Sequence, residues 1–341
     1  MHAQSRYHRQ QLLPEIGEAG QQRLARARVL IVGVGALGCT TADMLARAGV
    51  GTLFLLDRDV VEHTNLQRQT LFDEQDAAAG TPKAAAAAAR LARVNSEVEI
   101  TPLVRDLTPA NALATMDETR PDVLVDGSDN FETRYLLNDL SVRHTIPYAY
   151  AGVVSAQGMV ALFSPPGACL RCVFPNPAAP GSTPTCDTAG VLGPAAAAVA
   201  ALQAARVIRT LVGASVQEEL IELDVWTGRT RPLSLRDAKD PACPCCGRKS
   251  FEFLSGRGPE NAALCGQNAV QITPAASAKL DLSRLASLLA AHGRTSAGRL
   301  HVRCSLPNGL EITVFPDGRA IVRGTTRPEV ARTLYARLLG G

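Results

Sequence analysis

The sequence predicts an α/β fold, a doubly wound and mostly parallel sheet with an antiparallel extension, plus a small C-terminal α/β domain. Three observations carry this. Short apolar runs alternate with helical patterns from Val29 to Val154, a glycine-rich loop joins the first run to a helix, and the composition changes after a cysteine-rich turn at 243–246.

Residues 8–27 read as partly helical, with Leu12, Leu13, Ile16 and Leu24 as apolar positions. Val29–Val32 is a buried strand, Cys39–Ala48 the helix behind the glycines, and Leu53–Leu56 a second buried strand ending at Asp57. Pro82 opens a helix through six alanines to about Val94, because proline suits a first turn and alanine has the strongest helix propensity. Val98–Leu103, Val123–Val125 and Pro147–Val154 are further strands, with a helix over Phe131–Val142. Residues 164–190 are rich in proline and glycine and read as a long irregular loop. Pro194–Leu211 is an alanine-rich helix, and Ile221–Val225 and the segment near Leu233 are antiparallel strands. Beyond Gly256 and Gly258 come a helix over 278–292, strands at Leu300–Cys304, Leu310–Phe315 and Ala320–Val322, and a final helix at Pro328–Leu339. Pro307-Asn308-Gly309 and Pro316-Asp317-Gly318 are hairpin signals. The expected domains are therefore 1–254 and 262–341.

The formal charge of +3 and 4% aromatic content give no reason to expect a nucleic-acid surface. The polar start lacks the apolar core of a signal peptide, and the longest apolar stretch, Val191–Leu202, is interrupted by Gly193 and Pro194. A cytoplasmic, reducing location is expected, with no membrane partner. The nine cysteines then read as metal ligands or reactive thiols rather than a disulfide framework.

The loop Gly33-Val34-Gly35-Ala36-Leu37-Gly38 lets backbone approach a phosphate at a helix N-terminus, and Asp57 can accept hydrogen bonds from ribose hydroxyls. This suits NAD and ATP equally. Arg68, Lys83 and Asp129 discriminate: two cations and a carboxylate near a phosphate loop make sense where a triphosphate with Mg²⁺ is attacked and pyrophosphate leaves. Hydride transfer needs none of them. Alternatively, Arg68 and Lys83 are solvated surface charges and Asp129 is a helix N-cap.

Cys169-Leu170-Arg171-Cys172 and Cys243-Pro244-Cys245-Cys246 are two Cys-x-x-Cys pairs with 70 residues between them. Four thiolates in two such knuckles, Cys169, Cys172, Cys243 and Cys246, suit a structural Zn²⁺. Register alone does not exclude Cys245. Cys39, on the helix behind the glycines, reads as a small buried residue. Cys265 is either a relay thiol or a packing residue, and Gly340-Gly341 reads as a frayed helix end.

Over roughly residues 6–250 the chain resembles the bacterial E1-like adenylyltransferases that activate ubiquitin-like sulfur-carrier proteins. The matching pieces are Arg6-Tyr7-His8-Arg9-Gln10, the glycine loop, Asp57-Arg58-Asp59, Asn65-Leu66-Gln67-Arg68-Gln69, Thr81-Pro82-Lys83, Ser128-Asp129-Asn130 and Cys186-Asp187-Thr188-Ala189-Gly190-Val191-Leu192-Gly193-Pro194. The resemblance implies ATP over Gly33, Gly35 and Gly38, Asp57 on the ribose, Asn65, Arg68 and Lys83 around the phosphates, and Asp129 on Mg²⁺. It implies a homodimer in which Arg9 enters the neighbouring ATP site, and a carrier ending in Gly-Gly as substrate, with a sulfurtransferase or cysteine desulfurase as sulfur donor. Cys186 lies where some family members use a cysteine in sulfur transfer; the bland reading is a loop thiol. The simplest family members end shortly after the zinc cysteines, so the tail is a departure. The rival expectations are an NAD-dependent oxidoreductase and a non-catalytic nucleotide-binding scaffold.

Overall fold

The computed structural model describes residues 6–177, 186–215, 218–257, 269–272, 274, 280–298, 300–325 and 327–339. The chain divides into two compact units, Met1–Glu260 and Asn261–Gly341.

In the first unit α1 (His8–Gln11) and α2 (Gly17–Leu24) precede β1 (Arg28–Val32), α3 (Ala36–Ala48) and β2 (Thr52–Leu56). There follow α4 (Glu74–Ala79), α5 (Lys83–Val94), β3 (Glu99–Leu103), α6 (Ala112–Thr119), β4 (Val123–Asp126) and α7 (Phe131–His144). The rest is β5 (Tyr148–Val154), β6 (Gln157–Phe163), the one-turn helices α8 (Leu170–Val173) and α9 (Cys186–Ala189), α10 (Gly193–Leu211), β7 (Glu219–Asp224) and β8 (Arg229–Ser234). The sheet runs β3-β2-β1-β4-β5-β6-β7-β8. It is parallel from β3 to β5 and antiparallel from there to β8. The doubly wound sheet and its antiparallel extension are as expected from the sequence.

Both sheet faces are covered, which is why the inner strands are apolar throughout. Val29, Ile31, Leu53, Leu55, Val123 and Val125 pack with Leu24, Leu45, Leu91 and Val207 on one face. Leu30, Val32, Phe54, Leu56 and Leu124 pack with Met116, Leu136 and Leu140 on the other. The buried alanines of α5 and α10 keep these helices close to the sheet layer.

Local signals missed some elements. The 8–27 segment is two helices, separated around Pro14 and by Gly17 at φ +57°. β6 was not expected, since no Asn-Gly or Asp-Gly pair marks its turn. Ser155 instead adopts φ +56°, and Val154 pairs with Gln157 across a two-residue loop. Within the expected irregular loop, Leu170–Val173 and Cys186–Ala189 each form one helical turn.

The second unit comprises β9 (Ala269–Ile272), α11 (Leu282–Ala290), β10 (Arg294–Ala297), β11 (Val302–Ser305), β12 (Glu311–Val314), β13 (Ala320–Arg323) and α12 (Pro328–Leu339). Its antiparallel sheet runs β10-β11-β12-β13-β9. Both hairpins fall at the expected turns. The four-residue strands β9 and β10 were not foreseen, being too short for a period-2 pattern to stand out. Leu285, Leu289, Leu334 and Leu338 cover one sheet face, where Cys304 is fully buried as a packing residue.

The strand order reverses between β1 and β4, and there two loops meet. Gly33 has φ +89°, and a Cβ on it would lie 2.6 Å from the carbonyl of Gly127. A Cβ on Gly38 would lie 1.9 Å from the Gly33 oxygen, and one on Gly127 would lie 2.1 Å from the same oxygen. Backbone therefore packs on backbone. Gly38→Ala should destabilise the protein by about 3 kcal/mol, read as a lowered urea midpoint; an unchanged midpoint would contradict this packing.

On α7, fully buried Asp139 accepts hydrogen bonds from the amides of Phe253 (2.9 Å) and Leu254 (3.1 Å). Burial nevertheless pushes its carboxyl up to about 6. A folded-state value above the unfolded one favours the protonated native state. This contribution is complete below about pH 4 and lost as pH rises through about 6, a change of about 2–3 kcal/mol. The stability difference between wild type and Asp139→Asn should shift in favour of wild type by that amount between pH 7 and pH 4. Parallel denaturation profiles would refute it.

Candidate active site

The site lies at the carboxyl ends of β1, β2 and β4. α3 begins at Gly35 without a side-chain cap, so its first amides point outward with the positive end of the helix dipole. A Cβ on Gly35 would have nothing nearer than 3.9 Å, from Gln69 Nε2 and the Gly127 oxygen. Of the three loop glycines, Gly33 and Gly38 serve internal packing, while Gly35 leaves an open shelf. Beside it, Gln69 is buried and its Oε1 has no hydrogen-bond partner among the described residues. An open glycine shelf, outward amides and an unspent buried acceptor together fit a phosphorylated, hydrogen-bonding ligand such as ATP.

Asp57 ends β2 and is buried. One of its oxygens accepts from Val34 N at 2.6 Å and the other from Asp59 N at 2.7 Å. It thereby ties the glycine loop to the turn after β2, and each oxygen keeps a second lone pair. Burial raises its pKa, and Lys83 opposes that rise.

Lys83, the first residue of α5, is buried, with Nζ 3.2 Å from Asp59 Oδ2 and its amide bonded to the Asp59 carbonyl at 2.9 Å. Burial alone would lower its pKa, but Asp59, Asp57 and Asp129 hold it above the usual lysine value. It is a desolvated cation among carboxylates, not a solvated surface charge.

Asp129 is exposed. The N-cap of α7 is Asn130, whose side chain accepts from Thr133 N at 2.8 Å. The alternative of Asp129 as cap is thus not realised. Its carboxylate lies in electrostatic reach of Lys83, Arg58 and Arg134.

Asn65 is buried on a 3₁₀ turn, His63–Asn65, where its Oδ1 accepts from Glu62 N at 3.1 Å. Arg68 folds back, donating from Nη1 to the Thr64 carbonyl at 2.8 Å. The start of α10 adjoins this turn, since a Cβ on Gly193 would lie 3.0 Å from the Gln67 carbonyl. Cys186 opens α9, seven residues before α10, and the intervening chain is pinned by Ser155 to Gly190 and Leu192.

Arg9 is exposed on α1 and is not brought to this site. Gln10 anchors α1 to the Ala48 carbonyl at 3.0 Å, at the far end of α3 from the glycines. Twelve helical steps separate Ala36 from Ala48, about 18 Å. Cys265 lies outside the described residues, as do Gly340 and Gly341.

Two groups escaped the sequence reading. Arg58 pairs with Asp106 at 2.8 Å and faces Asp59 at 3.9 Å. Fully buried Asp126 accepts from Ser128 N (2.9 Å), Ser128 Oγ (2.6 Å) and Tyr148 OH (2.6 Å), with Arg134 Nε at 3.7 Å. Arg134 also donates to the Ser128 carbonyl at 3.1 Å. Ser128 is clamped on both sides, so the loop carrying Asp129 is held at its root. The available signal was Asp126 itself, a carboxylate ending an otherwise apolar strand.

The other chemical cluster is the four thiols. Cys169, Cys172, Cys243 and Cys246 place their sulfurs within 4.8 Å of one another. Three of the separations are 3.9 Å (Cys169–Cys172), 3.7 Å (Cys169–Cys243) and 3.3 Å (Cys172–Cys246). Tetrahedral Zn²⁺ with bonds of 2.3 Å needs sulfur–sulfur edges of about 3.8 Å. The donor set therefore fits zinc. Neighbouring thiols, Cys245 foremost, draw Cys169 down to about 4. Cys245 is fully buried and stands outside the set of four.

Fold and site define a nucleotide-handling α/β enzyme, and comparison with known proteins makes it an adenylyltransferase. Residues 7–245 match the ThiF family, and the chain belongs to that family. It is 39% identical over 337 residues to the sulfur carrier protein ThiS adenylyltransferase of Bacillus subtilis, covering 98% of this chain and 99% of that one. It is 41% identical over 251 residues to the sulfur carrier protein adenylyltransferase of Thermus thermophilus, covering 71% and 90%. The crystal structure of E. coli MccB with ATP superposes with a TM-score of 0.61 at 25% identity, over 71% of this chain and 75% of that one. The Bacillus alignment extends through nearly the whole chain, so the C-terminal unit is shared with that relative.

Lys83→Met should remove the cation that Asp57 and Asp59 share, leaving Arg58 near Asp59, and cost about 3 kcal/mol. Lys83→Met with Asp59→Asn should recover part of that loss in a double-mutant cycle. Additive losses would show that the pair is not coupled.

Proposed function

We propose that this chain adenylates the C-terminal glycine carboxylate of a ubiquitin-like sulfur-carrier protein, releasing pyrophosphate and preparing the carrier for sulfur transfer. The carrying observation is Lys83 held among Asp57, Asp59 and Asp129 beside the open Gly35 shelf. The near full-length similarity to a ThiS adenylyltransferase favours a thiamine-pathway carrier over a molybdopterin-pathway one.

In this reading the triphosphate lies over the glycine loop and the amides opening α3, with Asp57 on the ribose. Asp129 would hold Mg²⁺, which supplies charge neutralisation on the phosphates. A carrier carboxylate oxygen attacks the α-phosphorus; that oxygen–phosphorus bond forms as the bond to pyrophosphate breaks, and no proton need move. Lys83, Asn65 and Arg68 offset the charge on the departing pyrophosphate, Arg68 swinging away from the Thr64 carbonyl to do so. The position of Arg9 at the far end of α3 supports its use by a second copy in a homodimer. Cys186 acts after adenylation, with sulfur delivered by a sulfurtransferase or cysteine desulfurase. The four thiols hold Zn²⁺ as a structural tie. Among the described residues no helix is long and apolar enough to cross a membrane, and unpaired thiols suit a reducing cytoplasm. The 1–254 region is the adenylation domain and 262–341 an accessory domain.

The test is ATP–pyrophosphate exchange with a carrier ending in Gly-Gly. Asp129→Ala should lower exchange by about 100-fold or more, whereas Cys186→Ser should leave exchange intact and stop sulfur transfer. Unchanged exchange in the Asp129 variant would remove its metal role. Preferential binding of NAD with no exchange would point to an oxidoreductase, and ATP binding without pyrophosphate release to a scaffold.

A further inference from the structure

The two Cys-x-x-Cys knuckles are far apart in sequence and must be brought together for their thiols to share a metal. That work falls on one face of α7. Tyr135, Asn138, Asp139 and Val142, at i, i+3, i+4 and i+7, all face the knuckles and the chain around them. Tyr135 OH donates to the Phe174 carbonyl at 2.8 Å, just after the first knuckle. Asp139 accepts from Phe253 and Leu254, just after the second. Val142 packs against Cys169, Cys243 and Cys245.

Asn138 hydrogen-bonds to both knuckles. It is fully buried. Its Oδ1 accepts from Leu170 N at 2.9 Å, between Cys169 and Cys172. Its Nδ2 donates to Cys245 Sγ at 3.2 Å, between Cys243 and Cys246. One amide thus fixes a backbone group in the first knuckle and a side chain in the second. Cys245, which is not in the set of four, serves as the handle by which α7 holds the second turn. Arg171 adds a cross-link, pairing with Glu252 at 2.9 Å and lying 5.7 Å over the Phe253 ring.

We propose that Asn138 is a positioning residue of the zinc centre, holding the two knuckles at the spacing the metal requires. The argument is chemical as well as geometric. Groups outside the ligand shell that orient the ligands typically carry about 10–100-fold of a site's affinity. Asparagine alone among residues of this size offers a donor and an acceptor on one planar group. Leucine at this position would satisfy neither knuckle. Ionised aspartate would keep the acceptor for Leu170 N while losing the donor to Cys245. The proposal rests on the reading of the four thiols as a zinc site.

The experiment uses the full chain as wild type, Asn138→Leu and Asn138→Asp, each stripped and reloaded with Zn²⁺. Zinc content is measured by atomic absorption and affinity by competition with a chromogenic chelator. The thermal midpoint of each metal-free protein is recorded alongside. Both variants should bind Zn²⁺ about 10–100-fold more weakly than wild type, and should do so where the metal-free protein is folded. Should the leucine variant fail to fold, the near-isosteric aspartate variant decides the matter. A lowered thermal midpoint with wild-type zinc affinity would mean that Asn138 merely packs α7, and would overturn the proposal. A wild type that takes up no zinc would overturn the metal reading itself, a different result from zinc bound equally well by all three proteins.

Discussion

The contact between the glycine loop after β1 and Gly127 after β4 governs the rest of the site. Strand order reverses between these two strands, so their exits form the natural crevice of a doubly wound sheet. The crevice closes only because Gly33, Gly38 and Gly127 meet backbone to backbone. That approach sets where α3 starts and therefore where its amides point. It also sets how far the loop of Ser128 and Asp129 stands from Asp57. A methyl group at any of the three would push the Gly35 shelf away from the carboxylates that flank it.

Charge is stored around that crevice at a cost. Asp57, Lys83 and Asp126 are all buried, and buried charges are tolerated only when paired or hydrogen-bonded. Each has partners: Asp57 two amides, Lys83 the Asp59 carboxylate, and Asp126 Ser128, Tyr148 and Arg134. Groups held by several partners in this way need little rearrangement to meet a polyanion. Among the described residues Gln69 Oε1 has no hydrogen-bond partner, and its side chain borders the open space at Gly35.

α7 joins the two chemical centres. Its N-cap, Asn130, immediately follows Asp129, and its buried face holds both thiol knuckles two turns later. The thiol cluster therefore does more than close a loop near the end of the adenylation region. It braces the helix on which the exposed carboxylate is mounted. Neither centre touches the other, yet one element carries both.

The amino-acid pattern alone makes the β1–α3–β2 unit, the alternation of strands and helices, and the two cysteine pairs legible. These follow from apolar runs, glycine spacing and ligand spacing, all of which act over a few residues. It also singled out Asp57, Lys83 and Asp129 as chemistry-bearing groups. Only the tertiary structure decided their states: that Lys83 is buried among carboxylates, that Asn130 rather than Asp129 caps α7, and that Arg9 lies at the opposite end of α3. Asn138, Arg58 with Asp106, and Asp126 with Tyr148 and Arg134 were likewise illegible. Apart from Asp126 with Arg134, eight residues apart, their partners lie 22 to 107 residues away, and β6, β9 and β10 depend on strand neighbours rather than on their own short patterns. A local pattern fixes which side chains are available, but hydrogen bonds across the chain fix which of them are used up and which stay free for chemistry.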